Sequence, residues 1–548
     1  MNRKSASFWN MPPAGVRFLI IVLLIIGVFF RFYNIDKKVY WHDESFTSMR
    51  ISGYSKPELK ERLFDGRIIT VEDIQKYQRP NPEKNLTDTI KVLTQYSEHT
   101  PLYYLIARFW AQVFGSSVAV MRSLPALISL LAFPCMYWLC RELFGSSLTG
   151  WMAMSLIAIS PFFVLYAQEA REYSLWAVAV LLSGAALLRA LRINTKLGWG
   201  IYAATLTIGL YSHLLFGLSA IGHGIYVLIT KNYRTSKTII AYLLASLAAV
   251  LTFLPWAVVI FIDLTRFQRW TSSTTSRNSL GELVTLIKWW LRNLNNVFFD
   301  LHQSIEPFDP IHYDDPFLIP LVLILVGYSI YFLCRHTSSK VWLFILTWMG
   351  MTALPLVLLD LVLGGLRSTA MRYLIPIYLA IQIAVAYLLA TKITAISIRN
   401  QRQRFWKLVT IGLVSGGLLS CAISSSAEVW WTKFVDYYNP PVAHIINQAN
   451  YPLVVSDTTI PGSILSLSHL LSPDVRFQLV TQASMLEISE DFNQVFLFDA
   501  STALREKIER ELGGQFEVAF QGYKFELWKL ENNKGIGNKH RLIFPLLP

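Results

Sequence analysis

Apolar residues in this chain come in long unbroken runs rather than in stripes or in alternation. A stripe marks a helix with one face in water, whereas a run that is apolar all round marks a helix whose whole surface avoids water. About 20 such residues, rising 1.5 Å each, cross the hydrocarbon core of a bilayer. Runs of this kind predict spans at roughly 17–33, 119–139, 148–165, 173–190, 198–212, 214–230, 238–262, 316–334, 341–362, 373–391 and 407–425. That makes about eleven spans. Basic residues precede the first run, as in a signal peptide, but no small-residue cleavage site follows. The run passes instead into Arg31-Phe32-Tyr33, the pattern of an interfacial anchor.

Two further stretches are apolar but interrupted. Residues 101–114 are short and carry Arg108, and 280–299 contain Trp289, Trp290 and Arg292. Both are expected to be helices lying on the membrane surface. The pattern changes after about 430. Leu453–Val455 and Val495–Phe498 are short apolar runs, 503–512 is helical in composition, and 516–528 alternates. A small soluble α/β domain is expected there. The predicted architecture is therefore mainly α: a polytopic transmembrane domain at 1–428, with a first outer loop at 34–118, and a C-terminal α/β domain at 429–548.

Loop charge orients the spans. With the N-terminus cytoplasmic, alternate loops hold Arg141, then Arg189, Arg192 and Lys196, then Lys231, Arg234 and Lys237, then Arg335 and Lys340, then Lys392, Arg399, Arg402, Arg404 and Lys407. All but the first of these loops lack acids, and the run of basic residues fits the positive-inside rule. The C-terminal domain then lies on the non-cytoplasmic side of the cell membrane. Counting 101–114 as a span would reverse every later loop.

Composition agrees. Of 548 residues 53% are hydrophobic and 16% charged, against about 25% charged in soluble domains. The net charge of +13 does not point to nucleic acid, because the basic residues are spread over short loops where they meet anionic headgroups. The four cysteines lie in or beside apolar runs, with no metal-ligand spacing and no sign of a disulfide framework.

Three charged segments, all assigned to the outer face, are candidates for chemistry. Tyr40-Trp41-His42-Asp43-Glu44 reads either as an aromatic anchor with solvated acids or as a general base at the bilayer surface. Tyr166-Ala167-Gln168-Glu169-Ala170-Arg171-Glu172-Tyr173 forms a very short loop. On a helix Glu169 and Glu172 would share a face. Charges held this near lipid form a structural knot or face a polar cavity. Arg367-Ser368-Thr369-Ala370-Met371-Arg372-Tyr373 offers two arginines, suited to a phosphate or to snorkelling toward headgroups. His99 and His213 are weaker candidates. Walker, GxSxG and HExxH motifs are absent. Group transfer on the outer face, which holds no nucleotide sugar, would need a donor carried by lipid.

In order along the chain stand Trp41-His42-Asp43-Glu44, His99-Thr100-Pro101-Leu102-Tyr103-Tyr104, Arg122-Ser123-Leu124-Pro125-Ala126, Leu143-Phe144-Gly145, Ser160-Pro161, Gln168-Glu169-Ala170-Arg171-Glu172-Tyr173, Tyr211-Ser212-His213 and Arg372-Tyr373-Leu374-Ile375-Pro376. This set resembles the GT-C superfamily of membrane glycosyltransferases, in particular the protein O-mannosyltransferase-like group that includes the lipid A aminoarabinose transferases. The resemblance covers roughly 15–390. It departs at Thr100, where the family usually has proline, and in the longer polar insert at 55–97. It implies inverting transfer of a sugar from a polyprenyl-phosphate donor to an acceptor hydroxyl. Asp43 would be the base and Glu44 its helper. His99, Tyr103, Glu169, Arg171, Glu172, His213, Arg372 and Tyr373 would bind substrate. No cofactor is required. Glu44 and Glu169 would suit a divalent cation, Mg²⁺ or Mn²⁺, though nothing in the sequence requires one. The rival readings are a transporter or lipid flippase, which would place its ionisable groups nearer the bilayer midplane, and a non-catalytic assembly or sensor protein that uses its soluble tail.

Overall fold

Each run predicted as a span falls on helix in the computed structural model, which describes residues 14–232, 236–263, 280–301, 315–394, 400–482, 492, 494–512, 514–522 and 525–531. Among these residues eight helices are long and apolar enough to cross a membrane, or nine if one bent pair counts as a span. Helices Lys196–Ser212 and Phe216–Thr230 account for two more predicted spans but are shorter, at 17 and 15 residues. The chain divides into two units. One comprises Met1–Lys38, Arg50–Gly53 and Pro80–Thr432; the other comprises Val39–Met49, Tyr54–Arg79 and Lys433–Pro548.

The bent pair lies in the first unit. Helices Ser147–Ala158 and Pro161–Ala167 meet at 62°, because Pro161 cannot donate to the preceding turn and disfavours helix at Ser160. The carbonyls freed at the break need donors, and lipid has none. Arg31 supplies them. Its Nη1 donates to Ala158 O at 2.7 Å and its Nη2 to Ile157 O at 3.1 Å. Nη1 also reaches Gly27 O at 2.7 Å, and Nε reaches Ser129 Oγ at 3.1 Å. Arg31 is 1% exposed, so it is not the interfacial anchor that its place at a span's end suggests. Gly27 lets the two helices approach: a Cβ there would stand 2.5 Å from Ala158 O.

Helix Pro101–Phe114 has 14 residues, about 21 Å of rise, too short to cross. It buries Tyr103, Tyr104, Ala107, Arg108 and Ala111 and exposes Phe109, Val113 and Phe114. Arg108 donates to Ile51 O, Lys84 O and Thr89 Oγ1. Arg122, buried at the start of the second span, donates to Ile35 O at 2.9 Å and Lys38 O at 2.8 Å, fixing the chain that leaves the first span. The stretch predicted at 280–299 is helix over Leu280–Asn295.

The second unit is built on a six-stranded sheet in the order β1-β3-β2-β4-β6-β5, where β1 is Asp65–Thr70, β2 Pro452–Ser456, β3 Arg476–Val480, β4 Gln494–Phe498, β5 Gln515–Gly522 and β6 Phe525–Glu531. β3, β2 and β4 are parallel, and the remaining pairings are antiparallel. The two predicted strands and the helix at 502–512 are present. The strand from the first loop was not foreseen: β1 pairs with β3, with Ile69 opposite Phe477.

Candidate functional site

In the first unit, the segment between Ala167 and Tyr173 is not helical. Arg171 N bonds Glu169 O at 2.6 Å in a tight turn. Glu169 and Glu172 therefore do not share a helix face, contrary to the expectation from their spacing. Glu169, Arg171 and Glu172 are all buried. Around Glu172 the partners close in from three directions. Arg171 Nη2 is 3.3 Å from its Oε1, the Tyr104 hydroxyl donates to its Oε2 at 3.3 Å, and His99 Nδ1 lies 3.8 Å from Oε1. Arg171 Nη1 donates in turn to the Tyr104 oxygen at 3.2 Å. Tyr103, at the same turn of the helix, packs edge-on against Tyr104.

Burial alone would raise the Glu172 carboxyl. The Arg171 guanidinium, then the nearby His99 imidazole, outweigh it and hold the group well below the usual carboxylate range. Burial, then the Arg50 guanidinium, lowers His99. His213 follows helix Lys196–Ser212 and stacks on Trp176 with ring centroids 4.0 Å apart. Leu215 N donates to its Nδ1 at 3.2 Å, which puts the imidazole proton on Nε2. Burial pushes His213 down to about 4. The charges it senses are Glu172, Arg171, His99 and Arg372, so these candidates form one electrostatic neighbourhood.

Arg372 lies in the short 3₁₀ helix Met371–Leu374, which follows the 3₁₀ turn Arg367–Thr369. Asp360 accepts from Arg367 N at 3.0 Å, Arg367 Nη1 at 3.2 Å and Ser368 N at 2.6 Å. Trp290 Nε1 donates to Ser368 Oγ at 3.0 Å. Arg367 thus serves the loop, while Arg372 lies over the Tyr373 ring at 5.2 Å, and Tyr373 faces His213 at 6.4 Å. Asp300 is a buried carboxylate that the sequence pattern did not single out. It accepts from Trp430 Nε1 at 2.8 Å and Trp431 Nε1 at 3.1 Å.

In the second unit, Asp43 and Glu44 stand in the first turn of helix His42–Ile51. Glu44 is fully buried, and Asp43 keeps 25% of its side chain exposed. Asp436 accepts from His42 N at 2.7 Å and from His42 Nδ1 at 2.6 Å. A carboxylate only accepts, so Nδ1 carries the proton. That leaves Nε2 toward Asp43 Oδ1, 3.7 Å away. Asn439 holds the other oxygen of Asp436 at 3.3 Å, and the Lys433 ammonium lies over Trp41 at 5.0 Å. Asp436 and Lys433 escaped sequence reasoning, because nothing near them in the chain marks them.

Among the described residues no group of three or more His, Cys, Asp or Glu could hold a metal ion. Glu44 and Glu169 do not belong to such a group.

Residues 98–259 match a family model described as dolichyl-phosphate-mannose-protein mannosyltransferase. No curated protein sequence matches the chain. The structure is similar to that of ArnT from Cupriavidus metallidurans bound to undecaprenyl phosphate, with 11% identity over 94% of this chain and 98% of that one and a TM-score of 0.50. The apo state of the same protein gives a TM-score of 0.51 at the same identity and coverage. The fold is that of the GT-C glycosyltransferases. The oligosaccharyltransferase AglB from Archaeoglobus fulgidus, in complex with an inhibitory peptide and a dolichol-phosphate, is similar at 13% identity over 95% of this chain and 75% of that one, with a TM-score of 0.48. The GT-C frame explains why the apolar runs and the ordered motifs occur together. Within it, the matched segment contains His99, Tyr103, Glu169, Arg171, Glu172 and His213.

Proposed function

We propose that this chain is a membrane glycosyltransferase that moves a sugar from a polyprenyl-phosphate donor to an acceptor hydroxyl, with inversion, on the non-cytoplasmic face of the cell membrane. The observation that carries the reading is the buried Arg171–Glu172–Tyr104–His99 cluster within the GT-C frame, in electrostatic reach of Arg372. A structural knot would need no further cation there, whereas a site for a phosphate would. The ArnT structure, which is bound to undecaprenyl phosphate, supports a lipid-phosphate ligand by likeness of fold.

In this mechanism the donor phosphate lies against Arg372 and Arg171, whose guanidinium groups offer paired donors and stay charged. Glu172 and Tyr104 hold Arg171 in place. His213, neutral near pH 7, presents an N–H rather than a third positive charge. Asp43 takes the proton of the acceptor hydroxyl as its oxygen attacks the anomeric carbon, and the bond from that carbon to the phosphate oxygen breaks. The electron pair leaves with the phosphate, which the arginines stabilise as its charge grows. Phosphate is already a good leaving group, so no strong acid is needed. His42, fixed by Asp436, orients Asp43, and Glu44 supports the same turn. One displacement inverts the anomeric centre.

The test is Asp43→Asn in the full-length protein. Transfer is expected to vanish while the protein stays folded and in the membrane; full activity would overturn the assignment of the base. Mass measurement of the lipid that copurifies with the protein tests the donor class. A polyprenyl-phosphate sugar is expected, and a lipid without a phosphate-linked sugar would favour a flippase.

A further inference from the structure

At the other end of the first unit's helices lies a cavity of about 320 Å³ that the proposed transfer does not use. Its polar wall is Glu142, Arg192, Lys231, Ser338 and Lys340. Leu188, Leu191 and Val341 give it an apolar side. Helix Tyr173–Ile193 fixes its distance from the candidate active site. Glu172 precedes one end of that helix and Arg192 lies at the other, roughly 30 Å apart at 1.5 Å per residue. Helix Phe216–Thr230 repeats the relation, with His213 before its start and Lys231 after its end. Helix Ser339–Leu363 runs the opposite way, with Lys340 at its start and Asp360 near its end. The cavity therefore opens where these helices reach the opposite membrane surface.

Its charges do not cancel. Arg192 forms a two-pronged pair with Glu142, Nε to Oε2 at 2.8 Å and Nη2 to Oε1 at 2.9 Å. Trp138 Nε1 adds a bond to the same carboxylate at 3.2 Å. Glu142 is thereby satisfied. Lys231 and Lys340 form no ion pair with the described residues, so two positive charges are left over on the cavity wall. The start of a 25-residue helix faces the same space, and its N-cap Ser338 makes no side-chain bond to the helix's own N–H groups. The positive end of the helix dipole at such a start favours an anion. The same space thus presents two surplus ammonium groups, a helix N-terminus and an apolar side.

We infer that this cavity binds the phosphate of an anionic phospholipid headgroup. The phosphate meets Lys231, Lys340 and the start of helix Ser339–Leu363, and the first methylenes of the lipid lie on Leu188, Leu191 and Val341. A lipid is favoured over a soluble phosphate compound because the walls are ends of spans, at the depth where headgroups stand, and because one side is apolar. The inference does not depend on the transfer proposed above.

The full-length protein in detergent, titrated separately with phosphatidylglycerol and phosphatidylcholine and read by native mass spectrometry, tests it. The wild type is expected to retain phosphatidylglycerol in preference to phosphatidylcholine. K231A/K340A is expected to lose that retention by roughly tenfold or more, and K231R/K340R to keep most of it. Equal retention of the two lipids by the wild type, or unchanged phosphatidylglycerol retention in K231A/K340A, would overturn the proposal. Inorganic phosphate is titrated in a third arm. If it binds without lipid, with the same lysine dependence, and displaces phosphatidylglycerol at equal concentration, the site belongs to a soluble phosphate compound and the lipid assignment fails.

Discussion

His42 Nδ1 lies 2.6 Å from Asp436 Oδ2, across 394 residues of sequence. The same oxygen accepts the His42 backbone N–H, so one carboxylate fixes both the start of helix His42–Ile51 and the imidazole beside Asp43. Asp436→Asn removes the charge that holds Nδ1–H and allows the ring to turn or change tautomer. The expected result is a fall of about 10- to 100-fold in kcat, with the acceptor KM changed less than threefold, and Asp436→Glu recovering part of the rate. Equal losses in kcat and in folded protein would reduce Asp436 to a structural prop.

Gly462 tests the same corner without touching a charge. A Cβ there would meet the Phe46 ring at 2.7 Å and His42 Cβ at 2.8 Å. Gly462→Ala should push His42 away from its partners. A loss of about 1–3 kcal/mol in stability is expected, together with a fall in transfer rate. An active, equally stable variant would show that the corner yields freely.

Arg372→Ala should raise the KM for the lipid-linked donor by at least about tenfold, an arginine–phosphate pair being worth about 1.5–3 kcal/mol, and leave the acceptor KM nearly unchanged. Steady-state kinetics with each substrate varied in turn reads the difference, and unchanged donor kinetics would count against a phosphate role.

Two buried groups predict how stability follows pH. His213 is pushed down to about 4, whereas an unfolded histidine titrates near 6.5. Between those values the unfolded chain takes up a proton that the native site refuses. Stability should therefore fall as pH drops from about 6.5 to 4. His213→Phe keeps a ring on Trp176 and should flatten that slope in thermal unfolding followed by tryptophan fluorescence. Glu172 acts in the same direction at lower pH. Its native value lies below that of an unfolded carboxylate, so its contribution is complete above about 5 and is lost only as pH falls further. Glu172→Gln should remove the contribution at neutral pH.

Arg31→Met leaves the carbonyls of Ile157 and Ala158 without their side-chain donor in a region that offers no water. A loss of at least about 3 kcal/mol is expected, visible as a lower unfolding temperature in detergent. An unchanged temperature would mean that the break in the bent span satisfies itself.

The spans were legible because lipid imposes one simple pattern, an apolar surface on every side. The candidate residues on the short loop were legible too, since Glu169, Arg171 and Glu172 have few reasons to stand so close to lipid. What the sequence hid was pairing at long range. Arg31 and Arg122 look like surface cations at span ends, yet both are buried against backbone carbonyls that only the folded chain brings near. Asp436 and Asp300 carry no local signal, since each acquires its meaning from a histidine or a pair of indoles that the fold delivers. The spacing of Glu169 and Glu172 misled for a related reason: three residues mean one face only on a helix, and the turn at Arg171 is not one.

Strand β1 sets a schedule for the molecule's own making. It pairs with β3, so Ile69 waits for Phe477, roughly 400 residues later on the ribosome. At about 5–20 residues per second that delay is on the order of a minute. Throughout it the strand's apolar residues and open edge stand without their partner while span after span enters the membrane. A stalled or truncated chain would leave that edge permanently open, a ready target for quality-control proteases and for other unpaired strands.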